Sequence, residues 1–141
     1  MRILLVEDDT MIGQAVQGLL RGDGYVVARL AKAAGILVTL VALESDKPLP
    51  EEAAQAREAW LNAGGVIHAA DIVWPDEIDV IIDGLLGTGL RSAPRQDLAA
   101  LIEHANAHTS PIVALDIPSG LIAQTGATPG AVIYASHTIT F

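Results

Sequence analysis

Ile81-Ile82-Asp83-Gly84-Leu85-Leu86-Gly87-Thr88-Gly89-Leu90-Arg91 joins an apolar run to a carboxylate and a glycine-rich turn. The apolar run Val80 to Ile82 ends abruptly in a carboxylate and then in glycines. A buried parallel strand looks like this when it delivers a polar group to the carboxyl edge of a sheet, where open α/β sheets hold their ligands. Gly87 and Gly89 let the backbone approach a ligand closely, and Arg91 just beyond is a permanent cation suited to phosphate. A second strand end has the same form: Ile112-Val113-Ala114-Leu115-Asp116-Ile117-Pro118-Ser119-Gly120. If the two strands are parallel neighbours, Asp83 and Asp116 share one rim.

Working outward, the chain reads as strands alternating with helices. Arg2–Val6 is a buried first strand, followed by Glu7-Asp8-Asp9 and a helical stripe at Ile12, Val16, Leu19 and Leu20 that Asp8 or Asp9 can cap. Residues 25–34 admit two readings, a strand opening at Tyr25-Val26-Val27 or a helix. Apolar residues at 26, 27, 30, 31 and 34, with Gly35 placed as a C-terminal cap, favour the helix. Ile36–Leu43 is the second strand, and a helix opens at Pro50-Glu51-Glu52 and stops at Gly64-Gly65. Val66–His68 is a short strand and Ile78–Asp83 the fourth. Ser92 and Pro94 are expected to open a helix running to Ala107. Ile112–Asp116 is the fifth strand, residues 117–130 form a long loop, and Thr138–Phe141 is a terminal strand. This alternation predicts one α/β domain over 1–141, a three-layer αβα sandwich with a mainly parallel sheet, Rossmann-like or flavodoxin-like.

Composition narrows the functional classes. The 141 residues suffice for one domain with a real core. They are 51% hydrophobic, with mean hydropathy +0.42, yet no run approaches the ~20 apolar residues of a membrane span. No secretory leader is visible, so the cytoplasm is the expected location. There is no cysteine, which excludes thiolate chemistry. A net charge of −9, from 17 acidic and 8 basic residues, argues against nucleic acid or an anionic membrane as partner.

Two resemblances follow from these motifs. Residues 1–21, with Glu7 and Asp8 after the first strand, resemble the opening of an OmpR-like response-regulator receiver domain, where such a pair helps to hold Mg²⁺. The phosphoaccepting Asp and the Lys-Pro of a receiver are not found, so phosphorelay is rejected. From Gly22 to Phe141 the chain resembles the core of the NAD(P)H-hydrate epimerase (YjeF N-terminal) family. Four segments carry that likeness: Gly22–Leu30, Asp83–Arg91, Asp116–Gly120, and Thr125–Phe141. The second resemblance implies interconversion of the R and S forms of hydrated NADH and NADPH (NADHX and NADPHX). It implies Asp116 for substrate contact and proton transfer, and Gly87, Thr88, Gly89, Leu90 and Arg91 along the dinucleotide phosphates. It also implies Asp83 and Ser119 near a K⁺ ion, a hard cation that oxygen ligands suit.

Departures from the family pattern shape the expectation. Its Asn- and Gly-rich loop should precede Gly22; Gln17–Arg21 stands there instead, and Ser136 occupies a usually acidic position. The leading reading is therefore a designed or recombined chimera joined at 21–25, a scaffold without efficient activity and requiring no cofactor. The alternatives are a residual epimerase, and a module in which Glu7 and Asp8 join Asp83 and Asp116 to hold a divalent cation. His104 and His108, four apart on one helix, are expected to lie on a solvated face, and Trp60 and Trp74 to pack in the core. An uncovered sheet edge would favour self-association into a homo-oligomer.

Overall fold

The computed structural model describes residues 1–8, 23–43 and 48–140. Six strands, β1 (Arg2–Asp8), β2 (Leu37–Leu43), β3 (Ile67–His68), β4 (Val80–Gly84), β5 (Ile112–Leu115) and β6 (His137–Ile139), form one sheet in the order β3-β2-β1-β4-β5-β6. Every pairing is parallel. Three helices accompany it: α1 (Asp23–Ala33), α2 (Glu51–Asn62) and α3 (Gln96–Ala107). The expected α/β, Rossmann-like arrangement is therefore present.

The alternation of side chains along each strand divides the core into two layers. Ile3 and Leu5 of β1, Leu40 and Ala42 of β2, and Ile82 of β4 face α1 and α2, where Tyr25, Ala28 and Trp60 are buried against them. Leu4 and Val6 of β1, Val41 and Leu43 of β2, and Ile81 of β4 face α3, which contributes Leu98, Leu101, Ile102 and Ala105. Irregular chain completes that second layer, with Trp74 and Ile78 before β4 and Ile133 before β6. The helices change faces where the strand order reverses, between β1 and β4. At such a reversal the crossovers leave a crevice above the carboxyl ends of the strands.

Residues 25–33 lie in α1, so the helical reading holds, but the buried face is not the expected stripe of 26, 27, 30, 31 and 34: Tyr25 and Ala28 are buried and Val27 and Ala31 half-buried, while Val26, Leu30 and Ala34 are exposed along with Arg29 and Lys32. The helix stops because Gly35 takes φ 78°, so that its N–H donates to Lys32 O and the Ile36 N–H reaches back to Ala31 O, each at 3.0 Å. Trp60 is almost wholly buried, its indole N–H donating to Val66 O at 3.2 Å.

Three expectations need correction. The acids Glu7 and Asp8 lie inside β1, paired with Ala42 and Leu43 of β2, rather than after the strand. Register with a long partner extends the strand past its apolar run. The helix expected to open at Ser92 begins at Gln96, with Arg95 at its cap and no side-chain capping bond. Val80, not Ile78, begins β4. The stripe at 12–20, its cap and the side chains of Glu7 and Asp8 lie outside the described residues.

Candidate functional site

Asp83 sits in β4, level with Val6 of β1 and Ala114 of β5. Its side chain is fully buried. Oδ2 accepts from Ser119 N–H at 2.9 Å, and Oδ1 accepts from the Ser119 hydroxyl at 2.5 Å and from Leu85 N–H at 3.2 Å. Burial away from water pushes its pKa up to about 6, against the opposing pull of these three bonds. Ser119 is equally enclosed, 1% exposed. While its hydroxyl donates to Asp83, it accepts from Leu86 N–H at 2.8 Å. One carboxylate and one hydroxyl thus fasten the loop after β4 to the loop after β5.

Asp116 closes β5 with φ 69°, the one non-glycine residue with positive φ among the described residues. Its neighbours bond across it, Ile117 N–H to Leu115 O at 2.9 Å, the pattern of the strained γ-turn with a positive central φ. Its own N–H donates to Ile139 O of β6 at 2.7 Å. Strain of this kind persists where the surroundings dictate it, and functional sites are where it gathers. The turn brings the carboxylate to the glycine loop: a Cβ on Gly87 would stand 3.5 Å from Asp116 Oδ2. An alanine there would touch it in ordinary contact, so glycine leaves an open approach rather than avoiding a clash.

The other loop residues divide. Gly87, Thr88 and Gly89 are half-buried on the rim, and Arg91 is exposed beyond them. Leu90 instead buries its side chain in the α3-side core, so only its backbone is available to a ligand. Gly120, at φ 94°, is the glycine the loop most needs: a Cβ would fall 2.1 Å from Ala131 O. That contact folds residues 131–133 back over the rim, where Ile133 N–H donates to Ser119 O at 2.8 Å.

Two groups escaped the reading of the sequence. Asn106 of α3 bonds to the backbone at Val132 and Tyr134; its place one turn beyond Ile102 on a core-facing helix is the signal that could have found it. His104 does not merely face solvent, because Trp74 stacks on it with ring centroids 4.1 Å apart and planes 11° apart. Among the described residues no group of three or more His, Cys, Asp or Glu could hold a metal ion. A groove of about 440 Å³ lies at the opposite, amino end of the strands, lined in part by Arg2, Asp76, Asp79 and Ser110. Among the described residues no helix is long and apolar enough to cross a membrane.

With this geometry in hand, comparison with known proteins is decisive on ancestry. The family model described as "YjeF-related protein N-terminus" matches residues 11–141. The chain is 76% identical over 120 residues, 85% of its length, to the bifunctional NAD(P)H-hydrate repair enzyme Nnr of Escherichia coli, of which it covers 23%. It is 48% identical over 124 residues to the bifunctional NAD(P)H-hydrate repair enzyme of Leishmania major, covering 22% of that protein. An NAD(P)H-hydrate epimerase of Rhodopirellula baltica is 36% identical over 124 residues and is covered to 51%. The chain thus spans about a quarter of the bifunctional relatives. The family match spans residues 21–25, which overturns the expected join and the reading as a designed chimera, and nothing in the comparisons supports a receiver domain. An apolar strand followed by acids is common to many α/β sheets, and that shared grammar misled.

Proposed function

This chain belongs to the family of YjeF-related protein N-termini, and from that membership we infer that it is an NAD(P)H-hydrate epimerase, an isomerase acting on the hydrated nicotinamide dinucleotides NADHX and NADPHX. One observation carries the reading: the buried Asp83–Ser119 clamp holds the glycine loop against the strained turn that presents Asp116. A carboxylate, a run of close-approach backbone and a cation thereby stand along one strand-end rim.

Inverting the hydrated carbon, C6 of the nicotinamide ring, requires that carbon to become planar and to be attacked again from the other face. Asp116 is the group suited to carry the proton at its carboxylate oxygens, since it is half-buried and reachable beside Gly87. The backbone of Gly87–Leu90 offers approach to the dinucleotide phosphates, and Arg91 supplies charge at the outer end. Asp83 is too enclosed to touch substrate and serves as the fastener.

Asp83 and Ser119 fit a hard cation such as K⁺. The ionised carboxylate has about four lone-pair sites, of which the three bonds above use three. A bound cation would supply positive charge beside the rim and lower the pKa of Asp83.

Asp116→Asn tests the assignment, because it keeps the shape and the tolerance of positive φ while removing the basic oxygen. The expected result is a kcat for epimerisation lowered by ~10²–10⁴ with KM little changed. An unchanged rate would remove Asp116 from the mechanism.

A further inference from the structure

We propose that Asn106, in the last turn of α3, is a positioning residue for the rim, an inference that rests on the epimerase reading. Its amide spans the backbone of residues 132–134. Nδ2 donates to Val132 O at 2.8 Å, and Oδ1 accepts from Tyr134 N–H at 2.9 Å. An amide gives one donor and one acceptor at this spacing, as an adjoining strand would; a carboxylate supplies only acceptors and a methyl group neither.

The pinned segment bears directly on Ser119. Ile133, between the two clamped residues, donates its N–H to Ser119 O, and Ala131 lies against Gly120 with no room for a Cβ. Ser119 is thereby held at its carbonyl by this segment, the strap of residues 131–134, and at its N–H and hydroxyl by Asp83. It passes that placement on by accepting from Leu86 N–H, and the next residue, Gly87, is the one that faces Asp116 Oδ2. The line of contacts runs from Asn106 through the strap to Ser119, then to the glycine loop beside the reactive carboxylate.

Asn106 is not needed to dock its own helix. Leu98, Leu101, Ile102 and Ala105 already bury that face of α3. Both of its side-chain bonds go instead to the strap, and the residue is only half-buried, so water replaces them when they are lost. The effect of removing Asn106 therefore falls on where the strap sits. A displacement of about 1 Å at reacting groups can cost ~100-fold, and a loosened strap is expected to cost about tenfold.

Amide hydrogen exchange and epimerisation kinetics on Asn106→Ala, with Ile102→Val in the same helix as a control for stability, test this. The amides of Ser119, Ile133 and Leu86 are expected to exchange about tenfold faster in Asn106→Ala, while those of Leu5 and Ile82 hold. The kcat is expected to fall about tenfold with a smaller change in KM, whereas Ile102→Val keeps both. Asn106→Asp, which preserves the bond from Tyr134 alone, should fall between, and it carries the same two readouts if the alanine variant does not fold. Unchanged protection at Ser119 and Leu86, or a kcat no lower than in Ile102→Val, would overturn the proposal. If the unmodified protein does not epimerise, the functional reading fails, and the exchange data decide the positioning role by themselves.

Discussion

Replacing Asp83 by Asn isolates the energetic cost of keeping a carboxylate in the core. Asp83 is fully buried, and burial raises its pKa from 3.8 to about 6. The folded chain therefore binds this proton more tightly than the unfolded chain. Stability must rise as pH falls through 6 and level off below 3.8, the reverse of an Asp held in a salt bridge. The gap between 3.8 and about 6 corresponds to about 3 kcal/mol, fully felt above neutrality. About 2 kcal/mol of it is regained by pH 4.5. Urea unfolding of the wild type and Asp83→Asn, from pH 8 to pH 4.5 without K⁺, reads this directly, because every other carboxylate cancels in the difference. The wild type is expected to gain about 2 kcal/mol on the variant over that range. The amide must also turn an N–H toward one of the donors that Asp83 now accepts, a fixed penalty that does not vary with pH. A difference independent of pH, or one that shrinks as pH falls, would refute the reasoning.

Other consequences are equally open to measurement. Gly120→Ala drives a Cβ to 2.1 Å from Ala131 O at φ 94° and should cost more than ~3 kcal/mol in denaturant unfolding, whereas Gly126→Ala, at φ 71° with nothing within 4 Å, should cost about 1 kcal/mol. Asp116→Gly should stabilise the fold by about 1 kcal/mol by releasing the positive φ while abolishing epimerisation, a trade visible by comparing melting temperature with activity. K⁺ at 100 times its dissociation constant should stabilise the wild type by about 2.7 kcal/mol and leave Asp83→Asn unmoved; equal shifts in both would remove Asp83 from the cation site.

The fold was readable because its strands announce themselves. Four apolar runs end in acids or turns, and the stop at Gly35 marks a helix over 25–34, although the apolar spacing pointed to the wrong face: Tyr25 and Ala28 are buried, whereas Val26 and Leu30 are exposed. Helix starts were less legible: Pro94 suggested a first turn, but α3 waits until Gln96. The rim was legible as residue types, Asp83, Gly87 and Asp116, because each ends or follows an apolar run that reads as a strand. What joins them was not. The Asp83–Ser119 bonds close over 36 residues, and Asn106 reaches its strap over 26 and 28. No local pattern encodes pairings so distant, nor the bond from the Asp116 N–H to Ile139 O of β6. The chimera reading failed for a related reason: a short apolar run with acids describes the physics of a first strand and carries little information about its lineage.

Epimerisation of hydrated NADPH is the measurement that decides whether this chain is an epimerase. A single purified isomer is incubated with the protein, and the return to the R/S mixture is followed by chromatography against the uncatalysed rate. The expected rate lies well above that background and disappears in Asp116→Ala. Return at the background rate, from protein shown by circular dichroism to be folded, would contradict the epimerase reading.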